Sequence, residues 1–399
     1  MFTDKELQKY AQVLVWALKQ ARTGKFKKYD SILVRYDAAA TTLADRVFEI
    51  LIKEKFNPVL QMLNSEASAK SFYTYADNTQ LKNMPKWVVA QQASLNGLIA
   101  IHAPQSLTHL AAVDPKKIAL AALAKKGIRE ILDKREAAGD FGWTLCSFPT
   151  EALAKSAGLT VAQYAEQVKK AVYITERDPI AKWQEIFKSM NDIAAWLGSL
   201  KIDTINTQSK NMDLTVKLGE QRKFLCARGC NMPSFEIFTS PDWRGTKGTY
   251  FANLKSLRSG QIIENIKVEF AKGRVVKAKA AKGEQYLKKM IAMDAGAAQV
   301  GEYSLTDARM SKIDRFMADT LFDENFGGKY GNSHIALGSS YADTFAGDVS
   351  KLTKVKKKAL GYNDSSLHWD IINTEDKIVK ATLKNGKVVT IYESGRFKY

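Results

Sequence analysis

Three short apolar runs, at residues 31–36, 59–63 and 98–101, are separated by segments whose apolar side chains recur at helical spacing. The first spacer, 41–56, brings Leu43, Val47, Ile50, Leu51 and Phe56 onto or near one face, and Asn57-Pro58 ends it. Residues 68–76 repeat the helical pattern, and Pro104 closes the third run. Successive strands joined through helices need crossover connections, so this rhythm restricts the first half to a largely parallel sheet covered by helices. Asp114-Pro115 opens a further helix that extends to Lys134, with Asp as cap and Pro in the first turn. Residues 143–148 read as another strand, and Asp178-Pro179 starts a helix that ends near Gly198. Thr3 with Glu6, and Thr160 with Gln163, have capping-box spacing. No glycine-rich phosphate loop of either common type interrupts these units.

Beyond residue 200 the pattern changes to shorter strands and denser turns. Strands are expected at 202–205, 213–218, 235–238, 266–270 and 275–278, with a hairpin at Lys272-Gly273 and helices at 284–293 and 311–319. The 399 residues are therefore expected to form an α/β protein of two domains. Residues 1–182 make an N-terminal α/β domain with a largely parallel sheet, and residues 183–399 a sheet-rich α/β C-terminal domain that carries the chemistry.

Charge and cysteine content narrow the classes. The formal charge of +18 invites a nucleic-acid partner. The lysines are scattered, however, and the densest run, 351–358, has no interleaved aromatic side chains on which bases would stack. No stretch approaches the ~20 apolar residues of a membrane span. The N-terminal amphipathic segment is broken by charges, unlike a secretory signal. Three cysteines, Cys146, Cys226 and Cys230, point to reduced thiols in a cytoplasm rather than a disulfide framework. The C-x3-C spacing of Cys226 and Cys230 has no second Cys or His pair nearby and reads as two ordinary thiols.

Only four histidines occur, and two of them, His334 and His368, lie in a stretch rich in carboxylates and glycines between Leu321 and Asp370. They are either hydrogen-bonded core residues or ligands. His102 and His109 have no acidic neighbour at ligand spacing and read as structural. Upstream, Glu236 sits among Phe235, Ile237 and Phe238, and Glu302 lies in a Gly-Glu-Tyr context. A carboxylate in an apolar run needs a salt bridge or a metal. His368 and Asp370, two residues apart on a strand, point to one face. Together, Glu236, Glu302, His334, His368 and Asp370 exceed the roughly three protein ligands of one catalytic zinc. They suit two cations sharing a bridging carboxylate, as in hydrolases with a metal pair.

These residues fall in ordered blocks: Asn231-Met232-Pro233 with Glu236-Ile237-Phe238-Thr239-Ser240-Pro241, Gly301-Glu302, Thr320-Leu321-Phe322-Asp323-Glu324-Asn325, Ser333-His334-Ile335-Ala336-Leu337-Gly338 with Tyr341, and His368 with Asp370. In this order they resemble the aminopeptidase T / aminopeptidase S family of dinuclear metallo-aminopeptidases, over nearly the whole chain. The resemblance implies that Glu236, Glu302, Glu324, His334, His368 and Asp370 bind metal. It further implies that Glu302 is the general base on the attacking water and that Tyr341 is a hydroxyl donor at the metals. It implies two divalent cations per chain, zinc before cobalt, manganese or magnesium, and a homodimer acting on peptides. After Asp370 this chain has Ile371-Ile372-Asn373-Thr374 where the family would show a Met and a small residue. The expected function is a cytoplasmic metal-dependent aminopeptidase. Its rivals are a basic nucleic-acid-associated protein and a metal-binding relative without turnover.

Overall fold

The computed structural model describes residues 2–226 and 228–399. The chain divides into two compact units, Met1–Lys182 with Arg228–Pro233, and Trp183–Ala227 with Ser234–Tyr399.

The first unit is built on a five-stranded parallel sheet. Its strands, in spatial order, are Asn57–Met62, Ser31–Tyr36, Gly97–His102, Gly142–Ser147 and Asn231–Met232. The central strands are apolar on both faces, with Ile32, Leu33, Val34 and Ile99 fully buried, as a sheet covered on both sides requires. Helix Asp4–Ala21 opens with the Thr3–Glu6 capping box and buries Leu7, Tyr10, Ala11, Leu14 and Leu18. The helix begun by Asp114 is two helices, Pro115–Ala124 and Lys126–Ala137. The amide of Lys125 bonds back only three residues, to Ala122, and that tightened turn ends the first helix. The last strand arrives from far along the chain: residues 228–233 leave the second half and pair Asn231 with Leu145.

The strands of the second unit pair antiparallel. An eight-stranded sheet runs in the order Arg274–Lys279, Ile266–Ala271, Asp242–Ala252, Asp213–Lys217, Ile202–Ser209, Lys377–Leu383, Val388–Glu393 and Arg396–Phe397. A five-stranded sheet has the order His368–Asn373, Asn332–Gly338, Val300–Thr306, Glu236–Thr239 and Leu225–Cys226. Buried hydroxyls tie the two together. Tyr250 on the first donates to the carbonyls of Ser333 and Ile371 on the second, and Tyr303 on the second meets Thr207 on the first at 2.7 Å.

The helix expected at 311–319 does not form. Helix Thr320–Asp323 follows it, and the preceding backbone is irregular. Side chains have taken over its backbone groups: the Asp323 carboxylate accepts from the amides of Met317 and Asp319, and the Ser311 hydroxyl accepts from the amide of Ile313. Such bonds compete with helical ones, and Ala318, at φ 53°, lies outside the helical region altogether.

Candidate metal centre

The five-stranded sheet sorts its side chains by parity. Thr306 lies opposite Glu236, and Ser304 lies opposite both Phe238 and His334. Ala336 lies opposite both Glu302 and Asp370, and Gly338 opposite His368. Directly opposed residues share a face, as do residues two apart on one strand. Glu236, Glu302, His334, His368 and Asp370 therefore project from one face of one sheet, contributed by four different strands. The odd-numbered neighbours Ile237, Tyr303, Leu305, Ile335 and Ile371 turn the other way and are buried.

A bulge aims the central carboxylate. Val300 pairs with Leu337, but Glu302 pairs with Ala336, so Gly301 is the extra residue. Val300 turns into the core and Glu302 to the ligand side. A Cβ on Gly301 would stand 2.2 Å from the carbonyl oxygen of Ser339, which no side-chain-bearing residue tolerates.

The donor atoms converge in two triads, Glu236–Glu302–His334 and Glu302–His368–Asp370, each with its atoms within 4.8 Å of one another. Glu302 belongs to both. Its Oε1 lies 3.5 Å from His334 Nε2 and its Oε2 lies 3.5 Å from His368 Nε2. Glu236 Oε2 is 3.3 Å from His334 Nε2, and Asp370 Oδ1 is 3.5 Å from His368 Nε2. Burial disfavours a charged His334, yet Glu236 and Glu302 outweigh it and hold the imidazole well above its usual range. For His368 burial is likewise overcome, chiefly by Asp370 and then Glu302, and its pKa is pushed up to about 11. Burial would raise Asp370, but His368 beside it holds the carboxyl down at about 2. Burial raises Glu236, against the pull of His334 and reinforced by Glu302. The carboxylates thus hold protons on both imidazoles. A divalent cation answers the same negative charge, so cation and proton compete for these sites.

The ring nitrogens pointing away from the triads are held as well. His334 Nδ1 faces Asn332 Oδ1 at 3.3 Å, and His368 Nδ1 faces the Ser339 carbonyl at 3.0 Å. Because the Asn332 amide nitrogen donates to the carbonyls of Glu324 and Phe326, its oxygen is the atom left for His334. Both contacts favour the tautomer that leaves Nε2 free as a ligand atom. Asn332→Ala should therefore weaken metal binding by roughly 10–100-fold while leaving the fold intact, as measured by competition with a chromogenic chelator. Unchanged affinity would show that His334 is oriented by packing alone. Sequence reasoning gave Asn332 no role. The signal was present: it stands two residues before His334, on the same face of the same strand.

Tyr341 lies beside this face. Its ring stacks edge-on against Phe238, centroids 5.8 Å apart, and sits 4.7 Å from the ring of His368. The residue is 44% exposed overall. Desolvation, then Glu302 and Asp370, push its phenol above the usual range, so it remains an O–H donor at any working pH. Glu324, just past helix 320–323, is buried and enters neither triad. Burial, then the carboxylates of Glu236 and Asp370, raise it well above its usual range. Two hydroxyls on the ligand-bearing face, Ser304 and Thr306, are buried with no hydrogen-bond partner. Cys146, Cys226, Cys230, His102 and His109 join no group of donor atoms among the described residues.

Residues 3–397 match the family described as "Thermophilic metalloprotease (M29)". The chain belongs to the M29 metalloprotease family. Aminopeptidase AmpS of Bacillus subtilis (strain 168) is 26% identical over 99% of both chains. Aminopeptidase T of Thermus aquaticus is 30% identical over 64% of this chain and 65% of its own. Among solved structures, wild-type AmpT from Thermus thermophilus superposes over 100% of both chains with a TM-score of 0.82 at 21% identity, which establishes the common α/β fold.

An M29 metalloprotease needs a site for divalent cations, and this donor set suits one. Three carboxylates and two imidazoles are the oxygen and nitrogen ligands such ions take, and the unpartnered hydroxyls of Ser304 and Thr306 leave polar capacity on the same side. The nucleic-acid reading of the +18 charge has no support in this family.

Proposed function

We propose that this M29 metalloprotease is an aminopeptidase that removes N-terminal residues from peptides, with Glu236, Glu302, His334, His368 and Asp370 holding two divalent cations. The observation that carries the reading is the pair of Glu302 oxygens, each facing a different imidazole at 3.5 Å. One carboxylate common to two donor triads is the arrangement expected of a metal pair. When bound, such cations lower the pKa of water and polarise the scissile carbonyl.

The chain's own groups do the rest. Glu302, between the triads, accepts the proton lost by the attacking water and returns it to the departing amine. Tyr341, held as a neutral phenol, donates to the oxygen on which charge develops. Asn332 and the Ser339 carbonyl keep both imidazoles in the ligating tautomer. Zinc is the first choice of cation, ahead of cobalt, manganese or magnesium, a homodimer the proposed assembly and the cytoplasm the proposed compartment. The free thiols of Cys146, Cys226 and Cys230 fit a reducing environment.

Leucyl p-nitroanilide should be hydrolysed by the purified protein, cease to be hydrolysed after exhaustive chelation, and be hydrolysed again on back-loading with zinc or cobalt. Turnover that survives complete metal removal would end this reading.

A further inference from the structure

A parallel sheet covered by helices on both sides carries apolar residues on its central strands, because a charge there has neither water nor partner. Strand Ser31–Tyr36 of the first unit departs from that rule at Arg35. Arg35 is half-buried, and its side chain makes no hydrogen bond and no ion pair among the described residues. Burial lowers its pKa below the usual arginine value, and Asp37 is the charged group that opposes this. Asp37 is itself engaged. Its Oδ2 accepts from the amide of Ala103 at 2.7 Å, which ties the end of this strand to the end of strand Gly97–His102.

The surroundings are polar where a core would be apolar. Register places Gln61 and Ala100 on either side of Arg35, and Leu145 beyond Ala100, all on one face of the sheet. Two residues earlier on that face, Leu33 and Leu98 cluster with Leu95 and Phe141. Along the Arg35 row the cover thins: Gln61, Ala100 and Leu145 are half-buried, whereas Val34, Ile99 and Cys146 on the opposite face are fully buried. On helix Lys86–Ser94, the residues one turn before Leu95 are Gln91 and Gln92. Gln92 is buried, and Gln91 Oε1 is buried with no hydrogen-bond partner. Guanidinium donors and an amide acceptor thus lie in one layer without bonding to each other.

The place in the sheet adds to this. Strand Asn57–Met62 joins one side of Ser31–Tyr36 and Gly97–His102 the other, so the strand order reverses there. In open α/β sheets, ligands bind in the crevice outside the carboxyl ends of the strands at such a reversal. Arg35 is the penultimate residue of its strand, at that end. The planar fork of a guanidinium matches the oxygens of a carboxylate or phosphate, and a bound anion removes the cost of an uncompensated charge.

We propose that the crevice at the carboxyl ends of strands 31–36 and 97–102 binds a small oxyanionic ligand, its carboxylate or phosphate group on Arg35 and its polar remainder on the amides of Gln61 and Gln91. The site lies within the first unit and is independent of the aminopeptidase reading.

The test is thermal unfolding of the whole, metal-loaded protein, titrated with potassium phosphate or potassium acetate against potassium chloride at equal ionic strength. Wild type is compared with R35M, R35K and Q61L. A ligand that binds only the native state raises the midpoint with its concentration. Phosphate, acetate or both should raise the wild-type midpoint beyond chloride, and the one that does names the group recognised. R35M should lose that increment or need about tenfold more anion to reach it, and R35K, with its charge kept but its fork lost, should retain part. The metal ligands are the same in all four proteins, so any response from the metals is common to them. Q61L, on the edge strand, should also weaken the response and covers the case in which R35M does not fold. An oxyanion response of equal size in wild type, R35M and Q61L, or none beyond chloride in the wild type, would leave Arg35 to water alone and overturn the site.

Discussion

Glu302→Gln should abolish turnover more completely than any other single change at the site, lowering kcat/KM by about 10³-fold or more, because it removes both a base and a charged ligand. The amide is nearly isosteric, so the sheet should survive. Glu302 is the only residue common to both triads, and each of its oxygens faces a different histidine. Its replacement should therefore lower the affinity for both cations together. His334→Ala should disable only the triad with Glu236, and His368→Ala only the triad with Asp370. Elemental analysis of the three variants, with stopped-assay kinetics on leucyl p-nitroanilide, distinguishes these patterns. An E302Q protein with wild-type metal content and wild-type rate would remove the bridging carboxylate from the mechanism.

The largest stability effect is expected outside the donor triads, at Lys377. This side chain is 1% exposed, and its ammonium has one hydrogen bond, 3.4 Å to the carbonyl of Tyr330. Burial drives its pKa down to about 7, against the weaker pull of Asp376 and Glu375. An unfolded lysine titrates near 10.4. Between these values the native state holds fewer protons than the unfolded one, so stability rises with pH from about 7 to about 10.4. Below pH 7 the penalty for the buried charge is fully present, of the order of 3–5 kcal/mol. Lys377→Met removes the charge and keeps the length. It should stabilise the protein by a few kcal/mol at pH 6 and by little at pH 10, as read from denaturant midpoints at the two values. The Tyr330 carbonyl would still accept from the Tyr392 hydroxyl at 3.1 Å, so no buried acceptor is orphaned. A gain of equal size at both pH values would mean that packing, not charge, sets the cost.

Much of the local structure was legible in the sequence. The strands read at 31–36 and 98–101, the capping boxes at Thr3 and Thr160 and the Lys272-Gly273 hairpin all rest on short-range rules: periodicity, cap chemistry and positive-φ turn residues. The failures are also physical. The segment 311–319 has helical composition, but the Asp323 carboxylate beyond its end and the Ser311 hydroxyl at its start occupy its amides. Residues 228–233 pair with Leu145 and Cys146, a contact with no local signature.

The sequence by itself determined which side chains are candidates for the chemistry and that His368 and Asp370, two apart, face the same way, because strand alternation is a property of neighbouring residues. Its ordered motifs also carried the family. Only the tertiary structure decided that residues 236, 302, 334 and 368 meet, that Glu302 is shared while Glu324 stands outside both triads, and that Asn332 orients His334. Those facts depend on the hydrogen-bond register between strands far apart in the chain and on one bulge at Gly301. Periodicity along a strand fixes a face; register, set by packing of the whole sheet, fixes the partner.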